Sequence, residues 1–138
     1  MQKNTVYNCN LIELDKHHAE QGNISIVENS KDVPFEVKRI YYLYDIPSGE
    51  SRGGHAHKEL HQLLIAVGGS FEVILDDGNV KRTITLNRPY VGLLIVPGIW
   101  REITNFSSGA TCLVLASHKY EEKDYIRDYN EYLEYRNE

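Results

Sequence analysis

Only two cysteines, Cys9 and Cys112, occur in the 138 residues, and nothing in their placement resembles a ligand spacing. This excludes the disulfide framework that a small secreted domain would need and points to a reducing compartment. The N-terminal stretch MQKNTVYNCNLIELDKHH contains no uninterrupted apolar run. Neither a signal peptide nor a membrane span is therefore expected, and the expected location is the cytoplasm. Basic charge is also in short supply, since 15 Lys and Arg stand against 20 Asp and Glu for a net charge of −5. A phosphate backbone demands a basic face, so nucleic acid is not an expected partner. An anionic small ligand stays compatible, because a few arginines in one pocket outweigh a weak global field. No glycine-rich loop leads from a strand into a helix, and so no redox or other cofactor is signalled. Repeats, low-complexity tracts and linkers are absent as well, so residues 1–138 read as one domain with one core.

What the sequence does contain is a series of short β-type runs. They cover residues 22–28, 34–45, 61–67, 70–76, 80–86, 91–96, 101–106 and 110–117, and Val, Ile, Leu, Tyr and Thr dominate them. Gly68-Gly69 and Asp77-Gly78 supply the positive φ of tight hairpins, and Pro97-Gly98 and Ser107-Ser108-Gly109 mark further reversals. Short strands at this spacing predict an all-β sandwich or barrel. The tail differs. In EEKDYIRDYNEYLEYRNE, Tyr125, Tyr129, Tyr132 and Tyr135 fall about one helical turn apart, which predicts a C-terminal helix over 121–135.

The chemistry concentrates in RGGHAHKELHQ, residues 52–62. On a strand, residues i and i+2 share a face, so His55 and His57 aim together. Gly53-Gly54 before them lets the backbone turn without a side-chain clash. Two imidazoles on one face beside Arg52 and His61 make a candidate site. By contrast, the adjacent His17-His18 face differently in any regular structure and read as surface residues. Asp76-Asp77-Gly78-Asn79 lacks the later glutamate of a calcium loop and reads as a hairpin turn.

The spacing Gly49, His55-x-His57, Gln62, Gly69, followed by Gly92, Pro97-Gly98, Arg101 and Asn105, resembles the two motifs of the cupins. That resemblance implies a jelly-roll β-barrel. Metal-binding cupins carry a glutamate near Gln62 and a histidine near Arg101. Here the first is a weak neutral donor, and the second has no lone pair and a fixed positive charge. Metal is therefore not expected. Free imidazoles with a reference pKa near 6.5 accept and deliver protons, which suits proton transfer at a carbon next to a carbonyl. An arginine and a hydroxyl would hold the oxygen on which negative charge grows.

A closer resemblance extends over roughly residues 22–135, through VPFEVKRIYYLYD, SRGGHAHKELHQLLIAVGGSFEVILDDG, VGLLIVPGIWREITNFSSGATCLVLAS and EEKDYIRDYNEY. Together these segments are similar to the sugar 3,4-ketoisomerases, cupin enzymes acting on dTDP-4-dehydro-6-deoxy-D-glucose. The resemblance implies a metal-free homodimer that moves the keto group from C4 to C3, for deoxyaminosugars of bacterial surface polysaccharides such as O-antigen or of glycoproteins. It implies exchange of N-terminal strands within residues 1–33. It also implies that His55 removes the C3 proton, that His55 or His57 returns one to C4, and that Tyr41 hydrogen-bonds near the reacting hydroxyl. Alternation sends Tyr41 and Tyr42 to opposite faces, so only one of them lines the cavity. Arg52 would stabilise the enediolate or bind diphosphate, Arg101 would border the sugar with Trp100 facing away, and Gln62 would be a polar cavity residue. Lys38 and Arg39 alternate across a strand, and Arg39 is assigned to the ligand. Arginine at 101 resembles the gluco-type members, whereas Gln21 matches neither product group, so the expected product leans to the gluco configuration. Two other readings stay open: a metal-dependent cupin oxygenase or isomerase using His55, His57 and His61, and a non-catalytic sugar-nucleotide-binding protein.

Overall fold

The fold is described by a computed structural model over residues 3–138, so that Met1 and Gln2 of the N-terminal stretch lie outside the described residues. In chain order the strands are β1 (Asn10–Glu13), β2 (Asp15–Ala19), β3 (Gly22–Ile26), β4 (Arg39–Leu43), β5 (Arg52–His57), β6 (Gln62–Gly68), β7 (Phe71–Asp76), β8 (Lys81–Leu86), β9 (Val91–Ile95), β10 (Trp100–Thr104), β11 (Thr111–Ala116) and β12 (Tyr125–Ile126), followed by helix α1 (Tyr129–Arg136). One five-stranded sheet has the order β1-β9-β6-β11-β4 and a second the order β12-β5-β10-β7-β8, while β2 and β3 form a separate hairpin. All the pairings are antiparallel. The architecture is all-β, as the strand pattern predicts, and is the cupin-like barrel that the motif resemblance implies, with one short C-terminal helix.

Alternation along each strand decides what faces inward. Leu64, Val73, Leu75, Leu93, Ile95, Ile103 and Val114 pack between the two sheets as the main core. Strand β6 reads as a nearly continuous apolar run because both its faces are covered. Its alternate residues Leu63 and Ile65 turn outward, where Val33, Phe35 and Val37 cover them. Burying one such side chain contributes about 1.5–3 kcal/mol, so the stretch that includes Phe35 and Val37 has a packing role without being a strand. The apolar run at 34–45 accordingly becomes a strand only at β4, and the run at 22–28 stops at Ile26. The polar N-terminal region still forms β1 and β2, and His17 and His18 are exposed there.

Two local features shape the site. Gly53 has φ +77°, and two steps along β10 match three along β5, from Arg101↔His55 to Ile103↔Arg52. This bulge bends the strand just before the histidine pair, at a position where a side chain would be strained. The second feature corrects the expected helix over 121–135. Residues Glu122–Asp124 make a 3-10 turn, β12 pairs Tyr125 with His57 and Ile126 with Ala56, and only then does α1 begin. Strand pairing against β5 outweighs helical spacing here, and the Asp128 side chain caps α1 by accepting from the Glu131 N–H at 3.0 Å. Tyr132 is fully buried against Trp100 and donates its hydroxyl toward the carbonyls of Asp76 (2.9 Å) and Gly98 (2.7 Å). The helix thus clamps β12 in place. Among the described residues, no helix is long and apolar enough to cross a membrane.

Candidate active site

A cavity of about 350 Å³ opens between the sheets, lined by His55, Tyr41, Gln62, Arg101, Arg39 and Arg52 from the expected set, and also by Tyr125 and Arg127. Of the seven residues assigned from the sequence to catalysis or substrate binding, six are on this wall and His57 is not, having no exposed surface. His57 lies directly behind His55, with the two Nε2 atoms 3.1 Å apart and the rings edge-on. Its Nδ1 faces Asp124 Oδ2 at 2.9 Å. Tyr125 packs over both imidazoles, with ring centroids 4.3 Å from His57 and 5.1 Å from His55, and Arg127 stacks on Tyr125 at 4.1 Å.

A second polar chain reaches the cavity from the other side. Arg101 on β10 is sealed inside the barrel and donates to Ile99 O at 3.1 Å and to Gln62 Oε1. A guanidinium only donates, so the Gln62 carbonyl oxygen must face Arg101 and its NH₂ must face outward. That NH₂ donates to the Tyr41 hydroxyl oxygen at 2.9 Å. Tyr41 therefore keeps its own proton free to donate into the cavity. Burial pushes its pKa up, only partly offset by Arg101, so the hydroxyl stays protonated. Tyr42, on the opposite face of β4, is exposed, as alternation requires.

Burial and then the nearby Arg101 lower the pKa of His55 to about 3. The same two causes, in the same order, lower that of His57. Both rings are neutral at physiological pH. The close contact of His57 with Asp124 is accordingly a neutral N–H donated to a carboxylate.

The donor set does not fit a metal ion. The seats beside the two imidazoles hold the Gln62 amide and the Arg101 guanidinium, bonded to each other. His61 is not a third ligand, because β5 ends at His57 and the chain turns before β6. Its ring lies 6.2 Å from Phe35, away from the cavity. Among the described residues, no group of three or more His, Cys, Asp or Glu could hold a metal.

Asp124, Tyr125 and Arg127 were not singled out from the sequence. They sit in a charged, tyrosine-rich tail that reads as a surface helix, and only the pairing of β12 with β5 turns them to the site. The one available signal was the pair of charges flanking an isolated Tyr-Ile before the capping Asp128.

A family model described as "FdtA: WxcM-like, C-terminal" matches residues 7–137. The chain is 45% identical over 125 residues to the TDP-4-oxo-6-deoxy-alpha-D-glucose-3,4-oxoisomerase of Aneurinibacillus thermoaerophilus, covering 91% of this chain and 90% of that protein. A 3,4-ketoisomerase from Helicobacter canadensis shares 48% identity and a TM-score of 0.93 over 95% of this chain and 98% of that one. QdtA, a sugar 3,4-ketoisomerase from Thermoanaerobacterium thermosaccharolyticum solved in complex with TDP, shares 40% identity and a TM-score of 0.94, over 96% and 97% of the two chains.

A depressed histidine pKa has a definite sign in stability. Unfolded, His55 takes a proton below about pH 6.5, whereas folded it resists until about 3. Stability present above pH 6.5 is therefore lost progressively as pH falls toward 3. Thermal unfolding between pH 7 and pH 4 is expected to show a drop in Tm that shrinks in His55→Gln, whose side chain cannot titrate. Over the same range, kcat/KM is expected to show no inflection near 6.5 from the base.

Proposed function

The chain belongs to the FdtA family, described as WxcM-like, C-terminal, and from that membership we propose that it isomerises a TDP-linked 4-keto-6-deoxyglucose to the 3-keto sugar. The observation that carries the reading is an unprotonated imidazole, His55, on one wall of the cavity and a protonated hydroxyl, Tyr41, on the other. His55 takes the C3 hydrogen as a proton. The electrons of the broken C–H bond form the C3–C4 double bond while the C4 carbonyl becomes an enolate oxygen. Return of electrons from the C3 hydroxyl oxygen then makes the new carbonyl as C4 takes up a proton. The proton lost from O3 matches one gained at O4, and the hydrogen lost from C3 matches one gained at C4, so the product is an isomer of the substrate. Arg101 and the Tyr41 hydroxyl supply positive potential where the enolate charge grows.

Arg39 supports an anionic ligand. Its Nε and Nη2 atoms are buried without a hydrogen-bond partner, beside the rings of Tyr41 and Tyr120. Leaving buried donors unmade is costly, so a diphosphate would satisfy them. With Arg52 and Arg127 on the same wall, three cations collect locally in a chain of net charge −5.

The gluco product is the configuration we favour, because Arg101 stands where the gluco-type members carry arginine. In that configuration the hydrogens on C3 and C4 lie on opposite ring faces. His55 on β5 and Tyr41 on β4 belong to opposing sheets, which supports removal by His55 and delivery by Tyr41 across the ring.

The proposed assembly is a homodimer in the cytoplasm. The hairpin β2–β3 is exposed along its whole length, with Ile24 64% accessible, and two strands alone are marginal in water. A second copy laid against it would bury those side chains. The two buried thiols, Cys9 and Cys112, are unbridged, in keeping with a reducing compartment.

Incubation with TDP-4-keto-6-deoxyglucose in D₂O, followed by NMR, is expected to show a 3-keto product with deuterium at C4. His55→Asn is expected to lose turnover by at least about 100-fold while TDP binding is kept; near-normal turnover would remove His55 as the base. Arg101→His is expected to change the C4 configuration, because it alters what orients Gln62 and hence Tyr41, and the C3–C4 proton coupling constants of the product report it. Sedimentation equilibrium is expected to return about twice the chain mass of 15.9 kDa, and a mass of one chain would remove the dimer.

A further inference from the structure

Behind the cavity wall, the two imidazoles and Asp124 form a line in which every proton position is determined. A carboxylate only accepts, so the His57 Nδ1 that faces Asp124 Oδ2 at 2.9 Å must carry the hydrogen. His57 is sealed from solvent and neutral, so its Nε2 is left with a lone pair. The 3.1 Å contact between the two Nε2 atoms then requires His55 to donate from Nε2. The only lone pair remaining on neutral His55 is at Nδ1. That atom has no hydrogen-bond partner among the described residues, and the sealed, unpartnered polar atoms belong to Arg39 alone.

We propose that Asp124 is a positioning residue that, acting through His57, fixes the tautomer of His55 and so presents an unprotonated Nδ1 to the sugar. Asp124 touches neither cavity nor substrate. It acts by setting the direction of two hydrogen bonds. When His55 Nδ1 takes the C3 proton, the new imidazolium is stabilised through its Nε2–H to His57, whose own dipole is oriented by the carboxylate. Each turnover leaves one proton on His55 Nδ1 and takes one from the Tyr41 hydroxyl, and solvent water accepts the first and restores the second before the next cycle. The proposal rests on the ketoisomerase reading and deepens it by naming the nitrogen that acts and the residue that selects it.

The other oxygen of Asp124 makes the proposal testable by an isosteric change. Oδ1 accepts the backbone N–H of Glu59 at 2.7 Å. A backbone N–H only donates, so in Asp124→Asn the amide oxygen must stay on Glu59 and the NH₂ must turn to His57. His57 Nδ1 then has to accept, its Nε2 has to donate, and His55 is forced to carry its hydrogen on Nδ1. The whole line reverses and the base loses its lone pair. In the serine-protease triad the equivalent amide replacement costs about 10⁴ in kcat by the same reversal.

The expected result for Asp124→Asn is a fall in kcat of at least about 100-fold with KM and TDP binding unchanged. Asp124→Ala imposes neither tautomer and is expected to lose less than Asp124→Asn. A merely structural role predicts the opposite order, since alanine abandons both hydrogen bonds whereas asparagine keeps the shape. Near-normal kcat in Asp124→Asn, or a larger loss in Asp124→Ala, overturns the proposal. Long-range ¹H–¹⁵N correlation spectra of the wild-type histidines test it without any variant. Hydrogens on His57 Nδ1 and His55 Nε2 are expected, and a hydrogen on His55 Nδ1 defeats it even if the variants do not fold. Wild-type turnover is followed in the same assay. A wild-type chain that does not isomerise the sugar defeats the ketoisomerase reading, whereas an active wild type with an indifferent Asp124→Asn defeats only the role of Asp124.

Discussion

Arg101 is a full positive charge closed inside a β-barrel, and the geometry of the site follows from where its hydrogen bonds go. Its partners are a backbone carbonyl of Ile99 and the Gln62 amide oxygen. A buried charge without such acceptors would cost several kcal/mol, so these bonds are fixed with little freedom. Because the guanidinium cannot accept, it orients Gln62, and Gln62 in turn leaves the Tyr41 proton pointing to the cavity. The same charge, acting together with burial, keeps both imidazoles neutral. One residue therefore sets the donor on one wall and helps to set the acceptor on the other.

The second wall depends on the tail. Helix α1 is anchored by Tyr132 against Trp100 and by Tyr129, whose hydroxyl donates to Asp76 Oδ2 at 2.6 Å. That anchoring holds β12 at the edge of the second sheet, so that Tyr125 on β12 and Asp124 at the end of the preceding 3-10 turn lie against the histidines. A packing contact outside the barrel is thereby coupled to a proton position inside it. The coupling consists of short, directional hydrogen bonds, for which a displacement of about 1 Å is enough to matter.

Much of this was legible in the residues themselves. Period-two alternation and Gly-rich turns gave the all-β architecture, and the i, i+2 spacing placed His55 and His57 on one face. The opposition of Tyr41 and Tyr42 also followed from alternation, and the tyrosine next to Arg39 is the one that reaches the cavity. The tail departs from its helical spacing for a physical reason. Four tyrosines at helical intervals fit a helix face and equally fit a strand followed by a helix, because only a partner strand can distinguish them. Asp124 lies 67 residues from His57 in the chain. No local pattern in EEKDYIRD separates it from the charges around it.

From the residues alone come the all-β architecture, the neutral and cationic residues in place of metal ligands, the shared face of His55 and His57, and the opposite faces of Tyr41 and Tyr42. These follow from side-chain period and donor chemistry, which are properties of neighbouring residues along one strand. That His57 stands behind His55, that His61 turns away, and that a carboxylate from the tail closes the line are set by tertiary contacts. Those outcomes depend on which strand edges meet, and hydrogen-bond pairing between distant segments leaves no periodicity in the segments themselves.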